Sequence, residues 1–353
     1  MIKLVFVSSS TNGGGAERMQ LNIMHSLSKE KYDITFINTS SDHKPIDLKD
    51  HIKYVQYNKP HARQSFCKLL YDLSRMKPDY VFTTSIVVAY ILIIVRLFSF
   101  SKFRLYVRIA VPPSESPKNN FKSRVLRKVN SLVLKYSELI IAQTEFSKKD
   151  IAKHYKVPLK KIQVIRNIID KTLLDINGNC YIPTELIKEN YNIVASGALY
   201  SVKGFDLLID AMKLVVNKKS KVKLYILGEE RYEFGYKKFL LKKINENGLQ
   251  DNVFLLGHKT NPFPYYKHSD LFVMSSRTEG FPNVVLEALY YGTPVVATNC
   301  VDFSGVIIND MNGYIVEKES HIAIAEGIEK AIDKLKKSTN YTIQNFNYEE
   351  LFV

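Results

Sequence analysis

The sequence has few cysteines and no long apolar run, and each absence excludes a class of protein. The three cysteines, Cys67, Cys180 and Cys300, are scattered and odd in number. This argues against a disulfide framework or a zinc site and predicts buried thiols. The longest apolar run, Ile86 to Val95, ends at Arg96. It is shorter than the ~18 to 20 residues of a membrane span, so it predicts a buried helix.

The amino terminus also lacks the pattern of a secretory signal peptide. The segment MIKLVFVSSSTNGGG has a short apolar stretch that a turn-forming cluster closes, without a cleavage-site pattern. We therefore expect a first β-strand here and a cytoplasmic protein. With 353 residues, 46% hydrophobic and 24% charged, the chain has the composition of a globular protein and the length of two domains.

Acidic residues are scarce in the first half only. Residues 1–180 carry 30 Lys and Arg against 14 Asp and Glu, whereas residues 181–353 carry 20 against 21. A one-sided positive field attracts anionic lipid, phosphorylated substrates or nucleic acid. The stretch Lys118 to Tyr136 is basic and amphipathic, with Lys122, Arg127 and Lys128 among apolar residues. It predicts a helix that either lies on an anionic membrane surface or packs on the core with a solvated basic face.

Strand-like segments alternate with helix-length segments along the chain. The predicted strands are Lys3–Val7, Asp33–Asn38, Tyr80–Thr83, Leu105–Val107, Leu139–Ala142, Lys161–Ile165, Asn192–Ala195, Lys223–Leu227, Val253–Leu256, Leu271–Met274 and Val295–Thr298. The predicted helices are Ala16–Ser28, Phe205–Asn217, Tyr236–Asn247, Val284–Tyr291 and His321–Lys337. This alternation predicts parallel sheets with right-handed crossovers in two doubly wound α/β domains, with ligand at the carboxyl ends of the strands.

The alternation breaks between Asp170 and Ile187, where Asn, Gly and Pro cluster without a period. We place the interdomain linker there. The predicted organisation is an N-terminal domain over residues 1–178 and a C-terminal domain over residues 179–340. Residues 341–353 are expected to pack back on the N-terminal domain.

Two glutamates at the start of a predicted helix are the main candidate for a binding site. Glu279 and Glu287 stand eight positions apart in EGFPNVVLEALYYGTPVVAT, and Gly280 and Pro282 place a turn between them. Carboxylates accept hydrogen bonds from sugar or ribose hydroxyls, and a helix amino terminus favours anions. Spacing alone is a weak signal and favours one capping residue plus one exposed helix residue over a binding site.

The extended string around these glutamates resembles the E-x7-E donor site of family 4 glycosyltransferases of the GT-B fold. Further resemblance lies in NGGGAER, in IAQTEFSKKDIAKHYKVPLKKIQVIRNIID, in GALYSVKGFDLL and in LGHKTNPFPYYKHSDLFVMSSR, so it spans most of the chain. Within the family, the sequence is similar to bacterial enzymes that build capsule, O-antigen or lipid-linked oligosaccharides. The resemblance implies two Rossmann-like domains that face an interdomain cleft.

The resemblance also implies roles for individual residues. Glu279 would face the donor hexose, Glu287 would accept hydrogen bonds from the ribose, and Lys203 would meet the diphosphate. Gly280 and Pro282 belong to the same string, although Pro282 has no N–H to donate. The amides expected along the sugar and diphosphate are those of Phe281, Asn283 and Val284.

One position departs from the family pattern. The family usually has Arg directly after the glycine that corresponds to Gly197, and this chain has Ala198. A bidentate phosphate contact is therefore missing. Arg231 and Arg277 are the candidates to replace it.

Two segments of the N-terminal domain complete the predicted site. Gly14 and Gly15 lie in a glycine loop that either approaches the donor diphosphate or acceptor or makes a structural turn. Arg108 follows a strand in the segment where related enzymes commonly carry a His, so it either stabilises phosphate or acceptor or is a surface or ion-paired residue.

The sequence contains no D-x-D triplet, the motif with which metal-dependent transferases of the other common fold hold Mg²⁺ or Mn²⁺. We therefore expect no metal and no cofactor, with Lys203 and backbone amides stabilising the departing diphosphate. The resulting hypothesis is a retaining transferase that uses a UDP-sugar and a polyprenyl-diphosphate-linked glycan at the inner membrane face. A GT-B sugar-nucleotide epimerase, a non-catalytic sugar-nucleotide sensor and a nucleic-acid-binding protein are the alternatives. The last lacks aromatic-flanked basic motifs.

Overall fold

The computed structural model describes residues 1–11, 15–42, 44–45, 47–99, 101–115, 121–231, 233–338, 343 and 345–352. The chain divides into two compact units. The first comprises residues 1–170 together with the C-terminal residues from 345 onward, and the second comprises residues 171–344. The predicted boundary at residue 178 differs from this division by one helix.

In the first unit, the described residues form a parallel sheet in the order β3-β2-β1-β4-β5-β6-β7. Its strands are β1 (Ile2–Ser8), β2 (Tyr32–Asn38), β3 (Lys53–Gln56), β4 (Tyr80–Thr83), β5 (Arg104–Arg108), β6 (Leu139–Ala142) and β7 (Ile162–Val164). Its helices are α1 (Gly15–Ser26), α2 (Phe66–Met76), α3 (Ile86–Phe98), α4 (Phe121–Tyr136) and α5 (Glu145–Tyr155). The order reverses beside β1, as doubly wound sheets require.

Alternating side chains of the first sheet enter two separate cores, because successive strand residues point to opposite faces. Val5 and Val7 of β1 pack in one core with buried residues of α2 to α5. Leu4 and Phe6 of the same strand pack in the other with α1 and the C-terminal Phe352. Both faces of the sheet are therefore covered, which is the usual condition for a parallel sheet.

In the second unit, the described residues form a parallel sheet in the order β10-β9-β8-β11-β12-β13. Its strands are β8 (Tyr191–Ser196), β9 (Val222–Leu227), β10 (Val253–Gly257), β11 (Leu271–Met274), β12 (Val295–Thr298) and β13 (Gly313–Val316). Its helices are α6 (Lys171–Gly178), α7 (Phe205–Lys218), α8 (Tyr236–Glu246), α9 (Phe263–His268), α10 (Asn283–Tyr290) and α11 (His321–Lys334). Helices α7, α8 and α11 pack against one face of the sheet in a continuous core.

The segment predicted as a linker begins with a helix, so this prediction is wrong for its first part. Helix α6 packs against α9 of the second unit, and Leu174 is buried. The Tyr291 hydroxyl donates to the carbonyl of Leu174 at 2.6 Å, and the Asn261 amide donates to the carbonyl of Asn177 at 2.8 Å. These contacts explain why the boundary falls before α6 rather than after it.

The C-terminal segment packs on the first unit. Phe352 lies against Tyr106 with ring centroids 5.7 Å apart, and the Tyr106 hydroxyl donates to the carbonyl of Leu351 at 2.9 Å. The side chain of Asn345 bonds both the N–H and the carbonyl of Ile169, at 3.1 and 2.7 Å. The segment thus returns to the chain just before the division between the units.

Two predictions about apolar side chains need correction. Cys67 and Cys180 are exposed and Cys300 is partly exposed, so these thiols do not serve as core residues. The predicted buried helix exists as α3, but only one side of it is buried, with Val88 and Leu92 inside and Leu97 outside.

Candidate functional site

The predicted donor residues of the second unit gather where the order of its strands reverses. Strand β8 has β9 on one side and β11 on the other. The loops after β8 and β11 therefore start from neighbouring strand ends, and the chain continues from them in opposite directions along the sheet. Such a switch point, at the carboxyl ends of parallel strands, is where ligands bind in open α/β sheets. Lys203 lies at the end of the loop after β8, and Glu279 lies in the loop after β11.

Lys203 and Glu279 form an ion pair across this point. The ammonium Nζ lies 2.5 Å from Glu279 Oε1, with the two side chains 21% and 16% exposed. The Ser276 hydroxyl donates to the same carboxylate oxygen at 3.0 Å. Burial lowers the pKa of the Lys203 ammonium, but the Glu279 carboxylate outweighs this and raises that pKa above its ordinary value. Lys203 is therefore a fixed positive charge at neutral pH.

Close backbone approach holds the two loops together. Gly204 has φ +64°, and a Cβ at this position would lie 2.1 Å from the carbonyl oxygen of Ser275. The Ser275 hydroxyl donates to the carbonyl of Lys203 at 2.9 Å. Only glycine combines this left-handed conformation with such a contact. A Cβ at Gly197 would lie 3.1 Å from Cε of Lys203, so the loop after β8 also packs against the lysine side chain.

Arg277, one of the two candidates for the missing phosphate contact, is paired with a carboxylate of α7. Its guanidinium makes a bidentate ion pair with Asp206 of α7, at 2.9 and 2.7 Å, and also donates to the carbonyl of Ser201. Burial raises the pKa of the Asp206 carboxyl, but Arg277 and the Tyr236 hydroxyl outweigh this, and the net pKa lies below its ordinary value. Arg277 thereby ties the loop after β11 to the first turn of α7.

Arg231 lies closer to the Ala198 segment along the backbone. It is exposed on the loop after β9, next to Glu230, which forms a parallel bridge with Leu199. The N–H of Leu199 donates to the carbonyl of Glu229 at 2.8 Å. Of the two arginines proposed to replace the family residue, Arg231 is therefore the one whose backbone runs beside residue 198.

The segment from Gly280 to Glu287 forms a turn followed by the start of α10. Pro282 caps the helix, which begins at Asn283. Phe281 is buried and packs on Phe303 with ring centroids 5.9 Å apart. Val284 lies on the first turn, and the amino terminus of a helix carries a partial positive charge. Glu287 is on the same helix and is only 4% exposed, so the expected contact with ribose requires access to a buried carboxylate.

Three predicted site residues belong to the first unit. Gly14 lies outside the described residues, and Gly15 is the first residue of α1. Arg108, at the end of β5, is 1% exposed and donates to the Asn167 side chain. Burial lowers the pKa of its guanidinium, and the Tyr348 hydroxyl partly offsets this. The structure does not bring Arg108 to a surface that a substrate could reach, because the C-terminal segment covers it.

Sequence reasoning missed two side chains that shape the site, Ser276 and Asp206. Ser276 directly precedes Arg277 and its partner is Glu279, whereas the partner of Asp206 is Arg277. Proximity in sequence to a predicted ligand was the signal available for Ser276. The pairing of Asp206 with a residue 71 positions away leaves no local pattern.

Two family descriptions match the chain. Residues 182–346 match "Glycosyl transferases group 1" and residues 13–173 match "Glycosyltransferase Family 4". An uncharacterized glycosyltransferase of Methanocaldococcus jannaschii is 34% identical over 66% of this chain and 58% of its own length. The N-acetylgalactosamine-N,N'-diacetylbacillosaminyl-diphospho-undecaprenol 4-alpha-N-acetylgalactosaminyltransferase of Campylobacter jejuni is 28% identical over 96% of this chain and 93% of its own.

A solved structure, Anabaena HepE in complex with UDP and glucose, superposes with a TM-score of 0.78. The two sequences are 19% identical, and the superposition covers 94% of this chain and 90% of the HepE chain. At that identity the likeness establishes the fold. The predicted fold class, two Rossmann-like α/β domains of the GT-B type, is confirmed by the two parallel sheets and by this neighbour.

Proposed function

The chain belongs to the family 4 glycosyltransferases of the GT-B fold, and from that premise we propose that it transfers a sugar from a UDP-sugar to a lipid-linked glycan. The sugar is a hexose or N-acetylhexosamine, and the acceptor carries a polyprenyl diphosphate. The product enters surface polysaccharide biosynthesis. The observation that carries the proposal is the Lys203–Glu279 pair at the strand switch point.

This pair has the chemistry that a nucleotide-diphospho-sugar requires. A diphosphate supplies anionic oxygens for the Lys203 ammonium, and a hexose supplies hydroxyl donors for the Glu279 carboxylate. Without a ligand, each side chain satisfies the other at 2.5 Å. Donor binding then replaces one charge-assisted contact with two. Until the donor arrives, the pair holds both side chains in place.

In the proposed mechanism, the protein supplies positioning and electrostatic stabilisation rather than a nucleophile. The acceptor hydroxyl attacks the anomeric carbon on the face from which the diphosphate leaves, and its proton passes to the departing diphosphate. The anomeric configuration is therefore retained. Lys203 and the amino terminus of α10 stabilise the negative charge that develops on the diphosphate. No metal is needed in this scheme, and Glu279 holds the hexose without acting as a base.

Support for the two substrates comes from the relatives. The Campylobacter enzyme has a diphospho-undecaprenol compound in its name, and Anabaena HepE has been solved with UDP and with glucose. Other similar proteins are named for capsular polysaccharide biosynthesis in Staphylococcus aureus and for amylovoran biosynthesis in Erwinia amylovora. We propose that this chain acts peripherally on the inner face of the plasma membrane, where such acceptors are built.

The substitution Glu279→Gln tests the donor site. It keeps the shape of the side chain, removes its charge and leaves Lys203 without its counter-ion, so transfer should fall by about a hundredfold or more, as for other groups that hold a transition state. The matched control is Glu326→Gln on the exposed face of α11, which should transfer normally. Circular dichroism checks that both variants are folded.

The assay follows UDP release and the glycan product by mass spectrometry, with and without acceptor. Near-normal transfer by Glu279→Gln with the preferred donor would falsify the donor site. An altered sugar released without acceptor would instead identify an epimerase. Thermal stabilisation by a UDP-sugar without any turnover would identify a sensor, because a ligand that binds the native state raises its apparent stability.

A further inference from the structure

Helix α3 is apolar on both of its sides, although only one side is covered. Its sequence IVVAYILIIVRLF contains a single charged residue, Arg96. Val88, Leu92 and Val95 point into the core of the first unit and are fully buried. A helix that is hydrophobic all round is ordinarily buried on all sides. We therefore expect another apolar surface to cover the outer face of α3.

The outer face forms a continuous stripe along the helix. Val87, Tyr90, Leu97 and Phe98 are 56%, 46%, 77% and 68% exposed. The spacing of these residues follows the helical period, so they share one side. The two most exposed side chains, those of Leu97 and Phe98, stand at the carboxyl end of α3, where the ring of Phe98 also contacts that of Phe66 with centroids 6.5 Å apart.

The stripe continues onto the neighbouring helix, α4. The two helices pack side by side, and Arg96 donates to the carbonyl of Tyr136 at 2.5 Å. On α4, the exposed apolar residues are Val125, Leu126, Leu132 and Tyr136. The two helices together present one apolar surface, here called the α3–α4 face.

The surroundings of the α3–α4 face are strongly basic. The sequence of α4 contains five Lys and Arg and no Asp or Glu. Arg127, Lys128 and Lys135 are exposed on α4 itself. An apolar stripe flanked by cations, on two helices in contact, matches the interfacial zone of an anionic bilayer, where the stripe meets acyl chains and the cations meet lipid phosphates.

The length of α3 fits this position rather than a membrane span. Its 13 residues extend over roughly 20 Å at ~1.5 Å per residue, short of the ~30 Å hydrocarbon core. Among the described residues, none of the helices has the length and apolar content needed to cross a bilayer.

We propose that the α3–α4 face is the membrane-docking surface of the protein and that Leu97 and Phe98 insert below the headgroups of an anionic bilayer. The inference deepens the peripheral attachment in the proposed function and rests on that part of it. It assigns the main apolar contact with the membrane to the carboxyl end of α3, whereas the sequence alone suggested α4. The partner is the lipid surface itself, whichever sugar the enzyme transfers.

Binding to vesicles of phosphatidylcholine with phosphatidylglycerol tests the surface by co-sedimentation. The double variant Leu97→Ser with Phe98→Ser should lose at least about tenfold in partitioning, because two inserting side chains are removed. Arg127→Glu with Lys128→Glu should lose binding to anionic vesicles and make the residual binding insensitive to salt. The control is Phe234→Ser with Ile322→Ser, two residues of the second unit that are 88% and 55% exposed, which should bind as wild type.

The sequence has no tryptophan, so Phe98→Trp provides a reporter without background. Its emission should shift to the blue on anionic vesicles, and that of the control Phe234→Trp should not. The proposal is overturned if Leu97→Ser with Phe98→Ser binds vesicles normally, or if wild type does not bind them. It is also overturned if wild type is a dimer without lipid and this variant a monomer, because a second copy then covers the face.

These results are independent of the donor chemistry. Thermal stabilisation by UDP should be unchanged in the α3 and α4 variants, which lie in the first unit. A failure of vesicle binding with normal UDP stabilisation refutes the docking surface alone. A failure of Glu279→Gln to impair transfer, with normal vesicle binding, refutes the donor site alone.

Discussion

Truncating Phe352 to alanine should destabilise the first unit strongly, although the residue is next to last in a chain of 353 residues. Phe352 is 1% exposed, and its ring packs against three tyrosine rings. Its ring centroid lies 5.7 Å from that of Tyr106, 5.4 Å from Tyr80 and 6.3 Å from Tyr32. The side chain thus fills one face of the sheet over β2, β4 and β5.

The size of the effect follows from burial and from what remains attached. Replacing a fully buried Phe by Ala costs about 3 to 5 kcal/mol through lost transfer energy and the cavity left behind. Three other contacts keep the segment in place: Tyr106 to the Leu351 carbonyl at 2.9 Å, and Glu349 to Ser28 and Lys31 at 3.0 and 2.7 Å. Because the segment stays docked, we expect about 3 kcal/mol, the lower end of this range.

Urea unfolding followed by circular dichroism measures the loss, and hydrogen exchange assigns it to a unit. Protection should fall in peptides from β4 and β5 and stay unchanged in those from β8 and β9. The control is Phe146→Ala, a residue of the same unit that is 56% exposed, which should change stability by less than about 0.5 kcal/mol. A loss below about 1 kcal/mol for Phe352→Ala, or one shared by both units, would refute the packing argument.

Two further predictions concern the loops of the second unit. Gly204→Ala should destabilise this unit by a few kcal/mol and abolish thermal stabilisation by UDP, because its Cβ would lie 2.1 Å from the Ser275 carbonyl oxygen. The control Gly235→Ala, at φ +91° with no atom within 4 Å of the added Cβ, should cost only about 1 kcal/mol. Equal losses of stability in the two variants would contradict the argument from close backbone approach. Asp206 has a lowered pKa, so it contributes stability above the unfolded pKa that is lost as the pH falls below about 4. The stability difference between wild type and Asp206→Asn, from urea titrations at several pH values, should therefore shrink in acid, and a constant difference would contradict the assignment.

The central strands could be predicted because each is a short apolar run between turn signals. Two edge strands, β3 and β13, gave no such signal, whereas the edge strands β7 and β10 were predicted. Strand β3 has the sequence KYVQ and is half exposed. Strand β13 has the sequence GYIV, with only two β-branched residues, Ile315 and Val316. Helix α6 was missed because Asn177 and Asn179 favour turns, whereas here their side chains bond the carbonyls four residues earlier.

The structure brings two of the predicted site residues, Lys203 and Glu279, together, but the pairing within the candidate site could not be predicted from the sequence. The resemblance to the family supplied Lys203 and Glu279 together. It could not show that Arg277 is held by Asp206, because that partner is distant in sequence. For Arg108, the position at a strand end suggested either a ligand contact or a surface or ion-paired residue. In the structure it is buried and interacts with Tyr348 of the returning C-terminal segment.

The Lys203–Glu279 pair also bears on the missing arginine at Ala198. An added guanidinium beside this pair would compete with Lys203 for Glu279 in the unliganded protein, and a second cation near a partly buried ammonium is unfavourable unless an anion is present. With Ala198, Lys203 has the carboxylate as its charged partner. In the proposed donor site, the diphosphate displaces Glu279 from Lys203, and this releases the carboxylate toward the hexose. Binding of the two halves of the donor is thereby coupled through one ion pair, because neither half gains its full set of contacts until the pair is broken.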